Sequence, residues 1–219
     1  MGTQSFNSRT YTVIVPSTPV IEVNGGAFSL SSGFPQTGFI GATFQIRMNG
    51  TDTTANSAYY FVSDQSWVTV DATGTVSFVG EPTSANKAVT ISITPKAGVS
   101  LAQIYTFSLV EWFINNNDNI LLPVDADSWC LAQPGGYSTS GYTSITNATT
   151  YGSLGTRGTV GKLWPEWGML GSFSTWSNGV YWARESTGVF RYEVNLGNGS
   201  LAYSFPGGTY NNVICSKFL

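Results

Sequence analysis

Two cysteines, Cys130 and Cys215, and three glutamates in the same half of the chain, Glu166, Glu185 and Glu193, are the side chains whose chemistry could go beyond packing. A thiol that catalyses or binds metal needs a histidine or further thiols beside it, and these 219 residues contain no histidine and no third cysteine. Zinc sites of the usual Cys/His kind and histidine-based triads are therefore excluded. What remains is a disulfide or two buried free thiols; closing so long a loop contributes about 4 to 5 kcal/mol in the chain-entropy picture. A glycosidase needs two carboxyl groups at a fixed separation. Nothing in the spacing of Glu166, Glu185 and Glu193 places any two together, so they read as solvent-facing charge.

Cys130 must be positioned by the stretch Tyr105 to Cys130, which organises the rest of the chain. Tyr105, Phe107 and Leu109 alternate with Thr106, Ser108 and Val110, the period of a half-buried strand. Trp112, Phe113 and Ile114 follow at once, so one strand closes a first domain and another opens a second, with no linker between them. Asn115 to Asn119 make a turn. Pro123 then opens a short helix with Asp125 and Asp127 in its first turn, where carboxylates oppose the positive helix end. Ala126, Trp129 and Cys130 share one face of that helix, and Pro134, Gly135 and Gly136 end it.

Charged residues make up 10% of the chain, against about 25% in an ordinary globular protein. Gly, Ser, Thr, Asn and aromatics fill their place, the balance of an extracellular, mainly β protein. The net charge is −3 and the nine Lys and Arg are scattered singly, which leaves no basic stripe for nucleic acid. No apolar run approaches a membrane span and no signal peptide leads the chain. Met1 and Gly2 read as an expression start, so targeting and anchoring segments are expected upstream.

The alternating run Tyr11, Val13 and Val15 is either the end of a preceding domain or an edge strand of the first visible one. Strands are then expected at Val20–Val23, Phe28–Leu30, Thr43–Met48, Ala58–Val62, Trp67–Val70, Val76–Val79, Val89–Thr94 and Tyr105–Leu109, with no helix among them. Seven or eight short strands in about 90 residues make a β-sandwich. In the second half, Tyr137 to Arg157 reads as a long loop and Thr159 to Trp167 as a second short helix. Strands follow at Gly171–Trp176, Val189–Asn195, Ser200–Phe205 and Asn212–Lys217, with Asn198-Gly199 a two-residue hairpin signal. Alternation marks Trp176 and either Tyr192 or Phe190 as core.

The run Ser66 to Val76, with Asp71-x-x-Gly74 as a tight turn, followed by Val89 to Ile93, resembles the bacterial immunoglobulin-like domain. The helix ending in Trp129-Cys130, then Gly135-Gly136, Ser174 to Ser177 and the terminal Val213 to Lys217 look like a C-type-lectin-like domain. That order, from about Val20 to Leu219, is similar to the receptor-binding tip of the intimin and invasin adhesins of Gram-negative bacteria. The resemblance implies a mainly β chain: residues 1–17 a linker or the end of a preceding immunoglobulin-like domain, 18–110 an immunoglobulin-like sandwich, 111–219 an α+β lectin-like domain. It also implies a Cys130–Cys215 disulfide from the first helix to the last strand. The calcium-binding triplets of true C-type lectins are missing, and Asn211-Asn212, where one would fall, lacks the carboxylates that Ca²⁺ wants. No metal and no cofactor are implied.

The resemblance further implies a monomeric, non-enzymatic adhesin tip on the bacterial surface, with no direct membrane insertion and no nucleic acid partner. It would bind a host cell-surface or secreted protein: an integrin, a delivered receptor or another glycoprotein. Aromatics and Arg near turns are what protein interfaces use. The candidate contacts are Tyr181, Trp182, Arg184, Glu185, Tyr203, Phe205 and Tyr210. The rival reading is a calcium-independent carbohydrate-binding module that stacks sugar on Trp164, Trp167 or Trp182.

Overall fold

A computed structural model describes residues 18–97 and 101–219; the Tyr11 to Val15 run and the expectation for residues 1–17 lie outside the described residues. The first half runs β1 (Val20–Val23), β2 (Gly26–Ser29), β3 (Thr37–Gly38), β4 (Thr43–Arg47), β5 (Tyr59–Ser63), β6 (Val68–Val70), β7 (Thr75–Phe78), β8 (Ala88–Pro95) and β9 (Gln103–Ser108). The expected strands fall on these with ends shifted by a residue or two. Two features differ: a 3-10 turn at Thr54–Ala58, and β3, too short to show a period.

The antiparallel sheet β2-β1-β4-β7-β6 faces the sheet β5-β8-β9. Their alternating apolar side chains meet between them: Ile21, Phe44, Ile46 and Phe78 from one, Ile91, Ile93, Tyr105 and Phe107 from the other, all buried. The rings of Phe78 and Phe107 stack at 5.8 Å. The tight turn between β6 and β7 forms as its residues dictate. Asp71 Oδ1 accepts hydrogen bonds from Thr73 N at 2.8 Å and Thr75 N at 2.9 Å, and Gly74 takes the left-handed φ of 81° that the turn needs.

The second half runs β10 (Glu111–Asn115), α1 (Pro123–Ala132), β11 (Ser138–Thr139), α2 (Tyr142–Ile145), α3 (Leu163–Trp167), β12 (Val180–Thr187), β13 (Phe190–Asn195), β14 (Leu201–Ser204) and β15 (Ile214–Phe218). The strand expected at Gly171–Trp176 is absent. Leu170, Phe173 and Trp176 are buried at every third residue, and Phe173 N and Trp176 N bond back to Leu170 O and Phe173 O. The aromatic spacing there is that of successive turns, not of a pleat. β12 has no counterpart among the expected strands; it follows directly on Ser177, Asn178 and Gly179, residues typical of turns. The segment Tyr137 to Arg157, expected to be irregular, carries β11 and α2.

β15 lies between β10 and β11, and β12-β13-β14 form a separate antiparallel sheet. Cys130 of α1 and Cys215 of β15 form a disulfide, with Cα atoms 5.5 Å apart and a sequence separation of 85.

The halves share a core. β3, from the first half, pairs in parallel with β10, Thr37 opposite Glu111. Trp167 of α3 enters the aromatic cluster of the sandwich, 5.3 Å from Phe34 and Phe39 and 5.8 Å from Phe78. Arg157 reaches across: its Nη2 donates to Val23 O at 2.8 Å and to Glu166 O at 3.1 Å. Gly168, at φ 71°, leaves the room that this guanidinium fills; a Cβ there would lie 1.5 Å from Nη1.

Glu166 overturns an expectation. It is fully buried, not solvent-facing. Its carboxylate accepts from Gln36 N and Gly161 N at 2.8 Å, Thr37 N at 2.9 Å, and the Thr37 hydroxyl. Burial pushes its pKa up to about 7, against the opposing pull of these four donors.

Candidate functional site

The seven candidate contacts divide by burial. Tyr181 and Trp182 are 0% exposed. They stand side by side in β12, opposite Val194 and Glu193, and both faces of the strand are covered at that point. Tyr181 Oη donates to Asp118 Oδ1 at 2.9 Å, and burial lifts the phenol pKa to about 12. Trp182 Nε1 donates to Leu121 O at 2.8 Å. Both are core residues and face no partner, a correction that follows from β12 being a strand rather than a loop flank.

The same correction removes the sugar platforms: Trp164, Trp167 and Trp182 are buried. Of the expected core pair, Trp176 is buried, whereas Phe190 is 38% exposed and Tyr192 is half-buried.

The remaining five lie at or near the surface. Pairing between β12 and β13 slips, with Trp182 opposite Glu193 but Ser186 opposite Arg191. The bulge turns Ala183 to Glu185 away from β13. Arg184 N bonds instead to Ser140 O at 2.9 Å. Glu185 accepts from Tyr142 N at 2.9 Å, and Arg184 Nη2 lies 3.4 Å from its other oxygen. Glu185 therefore positions the start of α2 and is only partly free. Tyr203 sits among rings, 4.6 Å from Tyr151, 5.2 Å from Phe190 and 6.0 Å from Tyr192. Phe205 and Tyr210 are 56% and 55% exposed.

Beside them lies a concavity of about 380 Å³ that the sequence did not announce. Val124 of α1, Val189 and Phe190 at the β12–β13 hairpin, and Pro206 line it. Arg191 and Asp127, also in the lining, form a two-pronged ion pair, Nη1 to Oδ2 at 3.0 Å and Nη2 to Oδ1 at 2.6 Å. The Thr139 hydroxyl also donates to Asp127. Asp127 is therefore more than the helix-end charge that its position suggests. The signal for this hollow was present as Val189-Phe190 directly after Gly188, two apolar residues at a hairpin tip where polar ones are usual.

Glu166, Glu185 and Glu193 serve separate networks; Glu193 accepts from Ser204 Oγ at 3.0 Å and Asn211 Nδ2 at 2.6 Å. Among the described residues no group of three or more His, Cys, Asp or Glu is placed to hold a metal ion. No helix among them is long and apolar enough to cross a membrane.

A two-sheet sandwich, followed without a linker by a disulfide-tied half of helices and short sheets, defines an immunoglobulin-like domain joined to a C-type-lectin-like domain. Residues 19–107 match the family described as "Invasin, domain 4". The chain is 29% identical over 188 residues to the inverse autotransporter adhesin YeeJ of Escherichia coli (strain K12), covering 82% of this chain and 7% of that protein. It is 29% identical over 179 residues to invasin of Yersinia enterocolitica, covering 80% of this chain and 20% of that one. It thus spans a small part of either curated relative. The crystal structure of invasin, a bacterial integrin-binding protein, superposes with a TM-score of 0.79 at 26% identity, over 94% of this chain and 40% of that one. The family match over the first half and these relatives make the chain similar to the bacterial adhesins of the intimin/invasin kind.

Proposed function

We propose that this chain is the host-binding tip of a bacterial surface adhesin, and that the lectin-like half, from about residue 111, makes the contact with a host protein. The carrying observation is the exposed apolar surface of the second half: Val124, Val189 and Phe190 line the 380 Å³ hollow together with Pro206, Phe205 precedes Pro206 in the chain, and Tyr210 is exposed in the same segment. Exposed aromatics next to a desolvated pocket are the arrangement in which interface hot spots occur. Kinship with proteins named invasin and adhesin supports the reading, and the solved relative is itself described as integrin-binding. Arg184, paired with Glu185, has a side chain that is 59% exposed and adds an accessible charge to the second half. The tip acts as a monomer held out from the outer membrane, with residues 18–110 as its stiff base and without catalysis or cofactor.

Sugar binding retains one support, the surface tyrosines Tyr142, Tyr151, Tyr192 and Tyr203, whose rings touch in sequence. Capture from an animal cell-surface extract separates the two. The wild type retains a protein that the double variant Phe205→Ala, Tyr210→Ala does not, while Tyr60→Ala, on the far half, still retains it. Equal retention by all three contradicts the assignment of the face.

A further inference from the structure

The buried carboxyl of Glu166 has no role in the surface just described, and among the described residues it forms no salt bridge. Its donors come from both halves: Gln36 N, Thr37 N and the Thr37 hydroxyl beside β3, and Gly161 N ahead of α3. Three are N–H groups, which only donate. The fourth is a hydroxyl, which can accept as well as donate. Thr37 Oγ1 also accepts from Trp167 Nε1 at 3.0 Å, so it is fixed in place.

A proton on Glu166 Oε2 can therefore be donated to Thr37 Oγ1 without moving a heavy atom. The two N–H bonds to Oε1 and the Thr37 N bond to Oε2 persist. The proton comes from solvent, and the Thr37 hydroxyl hydrogen turns away.

The charged and titratable groups nearby do not supply a counter-charge. From β9, the Tyr105 hydroxyl is engaged with Phe34 O, and Glu166 itself helps to raise its pKa. From β10, Glu111 is a second buried carboxyl, pushed up by burial, whose own N–H bonds to Gln36 O. Arg157, which feels Glu22 of β1, binds the backbone oxygen of Glu166, and Lys162 donates to Thr143 O. A carboxylate without a cation in an apolar interior is disfavoured relative to its acid.

We propose that Glu166 and Thr37 form a proton-taking clamp between the two halves, which picks up one proton as the medium passes from neutral to mildly acidic and holds the joint more firmly in that state. This stands apart from the reading of the host-binding face. A folded-state pKa near 7, above the ordinary 4.5, means that ionised Glu166 costs stability. That cost is full above pH 7 and disappears as the pH falls from about 7 towards 4.5.

The test compares thermal midpoints of the wild type and Glu166→Gln between pH 8 and 5. Gln keeps the shape and one acceptor oxygen, gives up the acceptor for Thr37 N, and never ionises. The wild-type midpoint should rise on acidification relative to the variant. A side-chain ¹³C carboxyl resonance missing from the variant should titrate with a midpoint near 7. Midpoints that move in parallel, or a Glu166 carboxyl that stays ionised down to pH 5, overturn the proposal. Should Glu166→Gln fail to fold, Thr37→Val serves instead. It takes a hydroxyl donor from the carboxylate and an acceptor from the acid, whereas Thr37→Ser keeps both, so the Glu166 midpoint should shift in the Val variant and stay near 7 in the Ser variant; a midpoint that Val leaves unmoved is equally contrary.

Discussion

Burial divides the candidate residues into two kinds with opposite expected behaviour. Trp182 fills space on a covered strand and bonds Leu121 O, so Trp182→Ala should lower unfolding free energy by about 3 to 5 kcal/mol, read from urea midpoints. Phe205→Ala and Tyr210→Ala should each change it by less than about 0.5 kcal/mol, because those rings are more than half exposed. If Trp182→Ala proved neutral, its place in the core would be wrong. Residue types alone did not make this division. An aromatic beside a turn residue looks the same whether the next strand runs under cover or along the surface. Arg184 and Glu185 reach the surface from within β12, at the bulge where its pairing with β13 is interrupted. Glu166 was the reverse: a glutamate between two tryptophans, Trp164 and Trp167, carried the hint of burial that its charge obscured.

Among the elements, those with a strong local period were legible. α1 begins at Pro123 and ends at Ala132 as expected, because proline at its start and Pro134-Gly135-Gly136 beyond its end leave little choice. Asn198-Gly199 does mark the turn between β13 and β14, but the loop is the four residues Leu196 to Gly199 rather than two, with Gly199 at positive φ and Asn198 not. β3, β11 and α2 were illegible, since elements of two to four residues have no period and exist only because a neighbour pairs with them. The disulfide joins a legible helix to a legible strand. It ties α1 to β15, the strand on which β10 and β11 both depend. Replacing both cysteines by serine should cost about 2 to 5 kcal/mol, measured by denaturant unfolding beside the oxidised wild type. A loss below 1 kcal/mol would mean that the sheet holds α1 without the covalent tie.

At the scale of the molecule, the two halves are fused by shared aromatics rather than strung together. Trp167 packs on Phe34, Phe39 and Phe78, Trp112 lies 6.3 Å from Trp67, and Lys217 of β15 pairs with Glu81. The missing linker at Val110 announced an abutment; the interleaved core could not be read, because contacts between distant segments leave no periodic mark. On the proposed function, this shared core would hold the rim of the second half in a fixed direction. The proposed contact is that of this rim with a protein on the host surface. It is tested most directly by saturation binding of labelled protein to intact animal cells, before and after mild surface proteolysis or glycan removal. The expected result is saturable binding that proteolysis abolishes and that Phe205→Ala, Tyr210→Ala weakens at least about tenfold, the 1.4 kcal/mol or more of a contact that matters. Binding that survives proteolysis, is lost with the glycans, and ignores Phe205 and Tyr210 would contradict it.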